Sequence, residues 1–495
     1  MKSKRAISLA ELLLVEDDPA VLDFCCSETG IVLWTSVRTV FLRMAMSDFL
    51  YGTPLDGSVS KGVSTRRAMT TLSRSVLHNI GLSLTGQIRA DVCLMSSGVG
   101  NQSVDGKLLN RLSDHFALAR SSQTITVEEH FQWIWPEPRH NGRVLMHAPL
   151  QTMNAVSAKL SVRDVHVRQA TRLIEFVSQR AARFLNWRPG LVRENLLIAM
   201  LAKKIAGMAV QTRNYETMLH RIRPKVVLTL AGCYGSAAAL ITVAKSMGIV
   251  TAEYQHGTIS PGHDGYNFSP TLRDSSALRS TLPEHFLSYG AWWNDRINAP
   301  VNMHTIGNPN RDFRLAQLAR SAAMMQSKDQ ILVLSDGTEF GVYLDLARKL
   351  EPGATRKGLK VVIRPHPLER SVAASINAAE YGNVMVDSKD DLYMSLVSAH
   401  AVVSELSTGL FEAVGLAEKL FVWDTPKARF GFPTFPFQPF GSAAELTQLL
   451  EDDSVGRLPL SQADAIWAPG WQKNYEDFLR SCAGLQAAPG VRHHV

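Results

Sequence analysis

The chain has 495 residues, of which 45% are apolar and 20% charged, and a formal net charge of +7. That balance fits a soluble globular protein and excludes collagen-like, mucin-like and long disordered chains. The basic excess is spread along the chain, with no Lys/Arg block, zinc finger or RNA-recognition motif, so no nucleic-acid partner is expected. A positive surface of this kind suits an anionic lipid or a phosphorylated substrate, and also an ordinary solvated surface.

The length exceeds what one hydrophobic core serves, so two domains are expected. Five scattered cysteines, without a CxxC, argue against a disulfide framework or a structural zinc site. A reducing cytoplasm follows. The stretch 31–50, "IVLWTSVRTVFLRMAMSDFL", is interrupted by Arg38 and Arg43. It reads as a buried helix or strand pair of the first domain, with a place at the inner face of a membrane as the alternative.

In chain order, strand-like runs appear at 91–95 and 143–148. A long helical region follows over 153–222, broken near Pro189. "PKVVLTL" (224–230), a small-residue loop with an apolar helix, and "IVTAEY" (249–254) make one βαβ unit. A second series of strands lies at 330–337, 359–367, 383–387, 399–407 and 419–424, with helices between. A closing helix is expected at 464–484, then a frayed tail. The fold class is α/β, with two Rossmann-like domains: 1–310 with a long helical insertion, and 325–445, followed by the closing segment 446–495. No GxGxxG or P-loop stands at a strand end.

Ligands of open α/β sheets bind at the carboxyl ends of strands, which directs attention to four tips. The first is "YQHGTISPGH". Gln255, His256 and His263 offer polar groups there, and Gly257 permits a close backbone approach. His256 can give or take a proton near neutral pH. The second is "IRPHPLE". Two prolines fix the backbone around His366, and Arg364 adds a cation, a pairing that suits phosphate or pyrophosphate. The third is "SELSTGLFEAVG". Ser407 and Thr408 fall where a helix cap belongs, a place for an anion, and Glu412 lies one turn on. The fourth is "LSDGTEFG", where Asp336 and Gly337 form a turn able to line the cleft. Each tip also has a plain structural reading as a turn or cap. The stretch 96–115, with Ser97, Asp105, Asp114 and His115, reads either as a source of acceptor contacts or a general base, or as a surface loop. No DxD motif occurs, so no metal site is expected.

"YQHG", "RPHP" and "SELSTGLFEA" together resemble the GT-B-type glycosyltransferases of bacterial surface and capsular polysaccharide synthesis. These include Kdo- and sialic-acid-type transferases and the CDP-glycerol glycerophosphotransferases. The resemblance spans roughly 224–445. It implies a donor nucleotide-sugar on the second domain and a polysaccharide or lipid-linked glycan acceptor on the first, with no further cofactor. His366 would hold the donor phosphate, Ser407 and Thr408 would bind phosphate, Glu412 the ribose, and His256 would serve the acceptor or leaving group. Two departures stand out. Gln255 occupies the place of a Trp in the CDP-glycerol enzymes, and "SDG" is the nearest match to the paired-acid-Gly motif of polysialyltransferases. A nucleotide-sugar 2-epimerase, a glycerophosphate polymerase and a non-catalytic assembly protein remain as rival readings on the same fold.

Overall fold

The computed structural model describes residues 7–51, 64–320, 327–387, 389, 391–405 and 407–486. Its frame is two parallel sheets. The first contains β1 (Val92–Ser97), β2 (Thr124–Glu129), β3 (Val144–Met146), β4 (Val226–Thr229), β5 (Val250–Tyr254), β6 (His285–Ser288) and β7 (Asn302–Thr305), in the order β3-β2-β1-β4-β5-β6-β7. The second contains β8 (Gln330–Leu334), β9 (Lys360–Arg364), β10 (Met385–Val386), β11 (Ala399–Ser404), β12 (Lys419–Trp423) and β13 (Gln438–Phe440), in the order β10-β9-β8-β11-β12-β13. In both sheets the order reverses beside the first strand, the doubly wound arrangement with a switch-point crevice at the carboxyl ends. The two Rossmann-like halves expected from the alternation are therefore present.

Central strands such as β4, β8 and β11 are apolar runs buried on both faces, as helix-covered parallel strands must be. Three strands of the first sheet escape an apolar-run reading. "TITVEE" of β2 alternates Thr and Glu with apolar residues, yet Thr126 and Glu128 are buried. Arg139 and Asn101 satisfy Glu128, and Asn141 satisfies Thr126. β6 and β7 are short and carry polar residues toward the sheet's edge.

The long helical region is three helices, Ala148–Leu160, Asp164–Leu185 and Leu191–Ile222. The second ends on Asn186 in the left-handed conformation, just before Pro189. The stretch 31–50 is interior. Phe41 and Leu42 lie in the largest core cluster, and the buried Arg38 pairs with the buried Glu16 at 2.6 Å.

The halves are joined by a mixed core. Tyr266, Phe286, Tyr289 and Trp293 of the first pack with Leu410, Phe411 and Phe432 of the second and with Trp467. The closing helix Trp471–Ala483 then returns to the first half, setting Trp471, Tyr475, Phe478 and Leu479 against Val92, Leu94 and Val226.

Candidate functional site

The loop 255–269 leaves the tip of β5 and is held at many points. Gln255 donates from Nε2 to the Gly257 carbonyl and accepts the Tyr289 N–H, both at 2.8 Å, so its amide ties the β5 and β6 tips together. His263 accepts the Gly265 N–H at Nδ1 (3.1 Å), which leaves Nε2–H to donate to the Tyr234 hydroxyl at 3.0 Å. Beneath the loop, Arg43 pairs with Asp264 at 3.1 Å, and Arg38 donates to the carbonyls of Asp264 and Asn267. The N-terminal segment is thus the floor on which the loop is built.

His256 stands above a buried relay. Tyr266 donates its hydroxyl proton to Glu253 at 2.6 Å, and its oxygen lies 3.4 Å from His256 Nδ1. Burial pushes the Tyr266 phenol well above its usual range, so that proton stays on the oxygen. The oxygen can then accept only from His256 Nδ1–H, which leaves the Nε2 lone pair free. Burial, then His263 and Arg111, hold the His256 imidazole down to about 3, so it is neutral at pH 7. Burial raises Glu253 to about 7 against the hydrogen bonds from Tyr266 and Cys233.

Arg111 is a candidate site residue that no motif marks in the sequence. It lies within the 96–115 stretch, just after a small hairpin, Asn101–Val104 with Lys107–Asn110. Its N–H donates to the Gly100 carbonyl at 2.9 Å. The adjacent Asn110 is buried and bonded to Ser97, Asn101 and Leu112. The side chain is exposed and, among the described residues, makes no ion pair within 4.0 Å. Its charge reaches His256 and Tyr289 of the first half, and Tyr393 and Glu412 of the second. The usable sequence signal is its place inside the 96–115 stretch, three residues before Asp114. Ser97 is half-buried and caps the turn at Val99. Asp114 is buried against Arg139 and Asn141, and His115 is buried beside Phe313 and Trp471, where burial lowers it to about 4.

In the second half, the β8 and β9 tips interlock. Gly337 has φ +95°, and a Cβ there would stand 2.7 Å from His366 Nδ1, so only glycine lets the imidazole lie on this turn. The His366 N–H donates to Ser335 Oγ at 2.8 Å, and its Nδ1 accepts the Leu368 N–H at 3.3 Å. In the neutral ring the proton is therefore on Nε2. Burial lowers the ring, with Asp336 opposing. Arg364 is turned into the domain, where it donates to Asp387 at 2.8 Å and to Ser395.

At the switch point itself, between β8 and β11, Lys427 Nζ lies 3.0 Å from Asp336, 3.0 Å from Glu339 and 2.9 Å from Glu405. Tyr343 also donates to Glu405, at 2.6 Å. Burial would raise the Asp336 carboxyl, but Lys427 and the Thr338 hydrogen bonds hold it below its usual range. Ser407 Oγ caps the helix Thr408–Glu412 by accepting the Gly409 N–H. That helix has five residues, so its dipole is small. Glu412 is buried. Burial raises its carboxyl, opposed by Arg111 and Arg311.

The structure brings the first and third tips together. Thr258 donates its N–H to Thr408 Oγ1 at 3.3 Å, and the two hydroxyls lie 2.9 Å apart. A Cβ on Gly257 would still be 3.8 Å from Thr408, so that approach leaves room. Further along, the Gly262 N–H donates to the Gly431 carbonyl at 3.1 Å. A Cβ on Gly262 would collide with the Phe430 carbonyl, so this close approach requires glycine. Residues that follow strands of two sheets, some 150 positions apart, thus meet directly. The arrangement supplies a neutral imidazole on a proton relay, an unpaired guanidinium and a set of carboxylates. Far from the crevice, His285, His304 and Cys482 place three potential ligand atoms within 4.8 Å of one another, the one such group among the described residues.

No protein-family model and no curated sequence matches the chain. Solved structures do resemble it. The wall teichoic acid polymerase TagF is similar at 10% identity, over 86% of this chain and 93% of that one, with TM-score 0.39. S. aureus MnaA with UDP is similar at 10% identity, over 78% and 95%, with TM-score 0.40. MurG of Acinetobacter baumannii is similar at 11%, over 76% and 94%, with TM-score 0.36.

Proposed function

We propose that the protein is a GT-B-type glycosyltransferase that moves a sugar from a nucleotide-sugar to a hydroxyl of a surface-polysaccharide or glycolipid acceptor. The observation that carries this reading is the contact of the Gly257–Thr258 loop with Thr408, which joins two switch-point crevices over one set of polar groups. Such a junction suits a two-part substrate.

The leaving nucleotide gains negative charge on its phosphate as the glycosyl bond breaks. Arg111 and His366 Nε2–H are the groups placed to meet it, one from each half. Asp336, Glu405 and Glu412 are acceptors for sugar or ribose hydroxyls. His256 Nε2 removes the acceptor proton, while the Tyr266–Glu253 relay holds the ring in the right tautomer and stabilises the imidazolium that forms. No metal has a role in this scheme. An epimerase reading uses the same donor groups but releases the altered nucleotide-sugar.

The test is calorimetric titration with CMP, CDP, UDP, GDP and their sugars, for the native chain and for His366→Ala. Saturable binding of one nucleotide, weakened in the variant, is the expected result. In turnover, His256→Ala should lose about 100-fold or more while still binding the donor. Absence of any nucleotide binding by the native chain would remove the reading.

A further inference from the structure

Helix Thr65–Leu84 is inside out. Thr71, Ser75 and Leu82 face inward and are buried, while His78 and Asn79 are bonded to the backbone of β3. Outward stand Met69, Val76, Leu77, Ile80 and Leu84, exposed by 65, 41, 69, 50 and 83%. At the helical repeat these five share an arc of about 100°. Helix Ala148–Leu160 packs alongside and exposes Met153, Val156 and Leu160, spaced to share one stripe. Between these two helices and helix Leu191–Ile222 opens an apolar recess of about 280 Å³, lined by Leu145, Leu150, Met153 and Met218 and by the buried His147, whose Nδ1 stands 3.5 Å from Glu129.

The charge around this face is mostly positive, with Glu129 bonded to Gln151 and Glu137 bonded to Trp135 at the edge of the loop. Residues 64–84 and 148–163 contain Arg66, Arg67, Arg74, Lys159 and Arg163, and no Asp or Glu. Arg66, Arg67 and Arg74 line an open hollow with Trp133 and Trp135, and Arg74 lies 4.4 Å over the Trp135 ring. The loop carrying these tryptophans also exposes Phe131 and Ile134. An apolar face framed by cations and tryptophans matches the boundary between lipid headgroups and acyl chains. A symmetric second copy would set the same five cations against themselves. Among the described residues no helix is long and apolar enough to cross a membrane, so the fit is to a surface.

We propose that the face built by helices Thr65–Leu84 and Ala148–Leu160 and the loop 130–137 docks flat on an anionic lipid bilayer. That loop follows β2, whose carboxyl end lies at the same end of the parallel sheet as the His256 loop. Docking therefore sets the crevice beside the bilayer. The inference stands on surface chemistry and does not rest on the glycosyl-transfer reading.

The test is flotation of the full chain with vesicles of phosphatidylcholine alone and with about 30 mol% phosphatidylglycerol, at about 0.1 and 0.5 M NaCl. The native chain should float with the anionic vesicles and less so at high salt. The pairs Leu77→Glu, Ile80→Glu and Arg66→Glu, Arg67→Glu should each weaken partitioning about tenfold or more. Lys349→Glu with Lys357→Glu, on the second-half helix Phe340–Arg356 and its C-cap, a charge change equal to that of the arginine pair, should leave it unchanged. Melting curves separate lost docking from lost folding, and if one pair unfolds the other decides. No flotation of the native chain, or native-like flotation of a folded variant pair, overturns the proposal. So does a dimer, seen by light scattering and abolished by Leu77→Glu, Ile80→Glu, in a chain that does not float.

Discussion

At its switch point the first half presents Arg111, His256 and His263. The second presents Asp336, Glu339 and Glu405 around the ammonium of Lys427. The strand orders of the halves match, so topology sets where a ligand goes and leaves the local charge to the tips. In the first half, burial keeps both histidines neutral, and the unpaired guanidinium of Arg111 supplies the positive charge. In the second half, three carboxylates outnumber one ammonium, and Arg364 is already held by Asp387. On the proposed reading, a nucleotide phosphate at the junction would therefore draw its full positive charge from the first half. The two halves are complementary, and neither is a complete site.

Removing Lys427 breaks the comparison most severely. Lys427→Met leaves three buried or half-buried carboxylates facing one another and should cost about 3–5 kcal/mol of second-half stability, read as a fall in melting temperature. Lowering the pH should recover part of it, because the stranded carboxylates then take up protons. An undisturbed melting temperature would mean that the cluster is not a buried ion pair.

The next contrast is acid sensitivity. Burial holds His263 at about 4, below an unfolded value of about 6.5. Between these values the unfolded chain binds more protons, so stability is full above pH ~6.5 and falls as the pH drops toward 4. The loss amounts to about 3 kcal/mol. The Asp336 carboxyl is lowered instead, so its contribution persists down through that range and is lost only below its ordinary value of about 3.8. Hydrogen exchange should show the first half opening before the second on mild acidification, and His263→Gln should flatten that slope.

Arg111→Ala sharpens the division of labour. Nucleotide affinity should weaken about 30-fold, the loss of one charged hydrogen bond of about 2 kcal/mol. The melting temperature should barely move, since the side chain is exposed and unpaired. Equal affinity in the variant would return the whole phosphate site to the second half. The smallest effect is expected of Gly337→Ala, where the left-handed backbone costs about 1–2 kcal/mol and the new Cβ displaces the His366 ring. Donor binding should fall with it.

Much of this protein was written along the chain. Apolar runs at regular spacing define β1, β4, β5, β8, β9, β11 and β12, because a strand buried on both faces must be apolar. The punctuation of "QHG", "SDG", "RPHP" and "LST" marks strand tips, because glycine, proline and short hydroxyl residues are what tight turns and caps require. β2 was hidden because its Thr and Glu are paid for by partners such as Arg139 and Asn141, which come from a later loop. Arg111 was hidden because an isolated arginine has no local signature. Its electrostatic neighbours His256 and Glu412 lie about 145 and 301 positions away in sequence. The same limit applies to Gln255 and Arg364, whose polar groups are spent on Tyr289 and Asp387. Sequence by itself determined the two-sheet plan, its apolar strands and the places where those strands end, since propensity and burial act locally. Only the tertiary structure decided which polar groups remain free to meet a ligand, because hydrogen bonds and charges are satisfied between segments that the chain order keeps far apart.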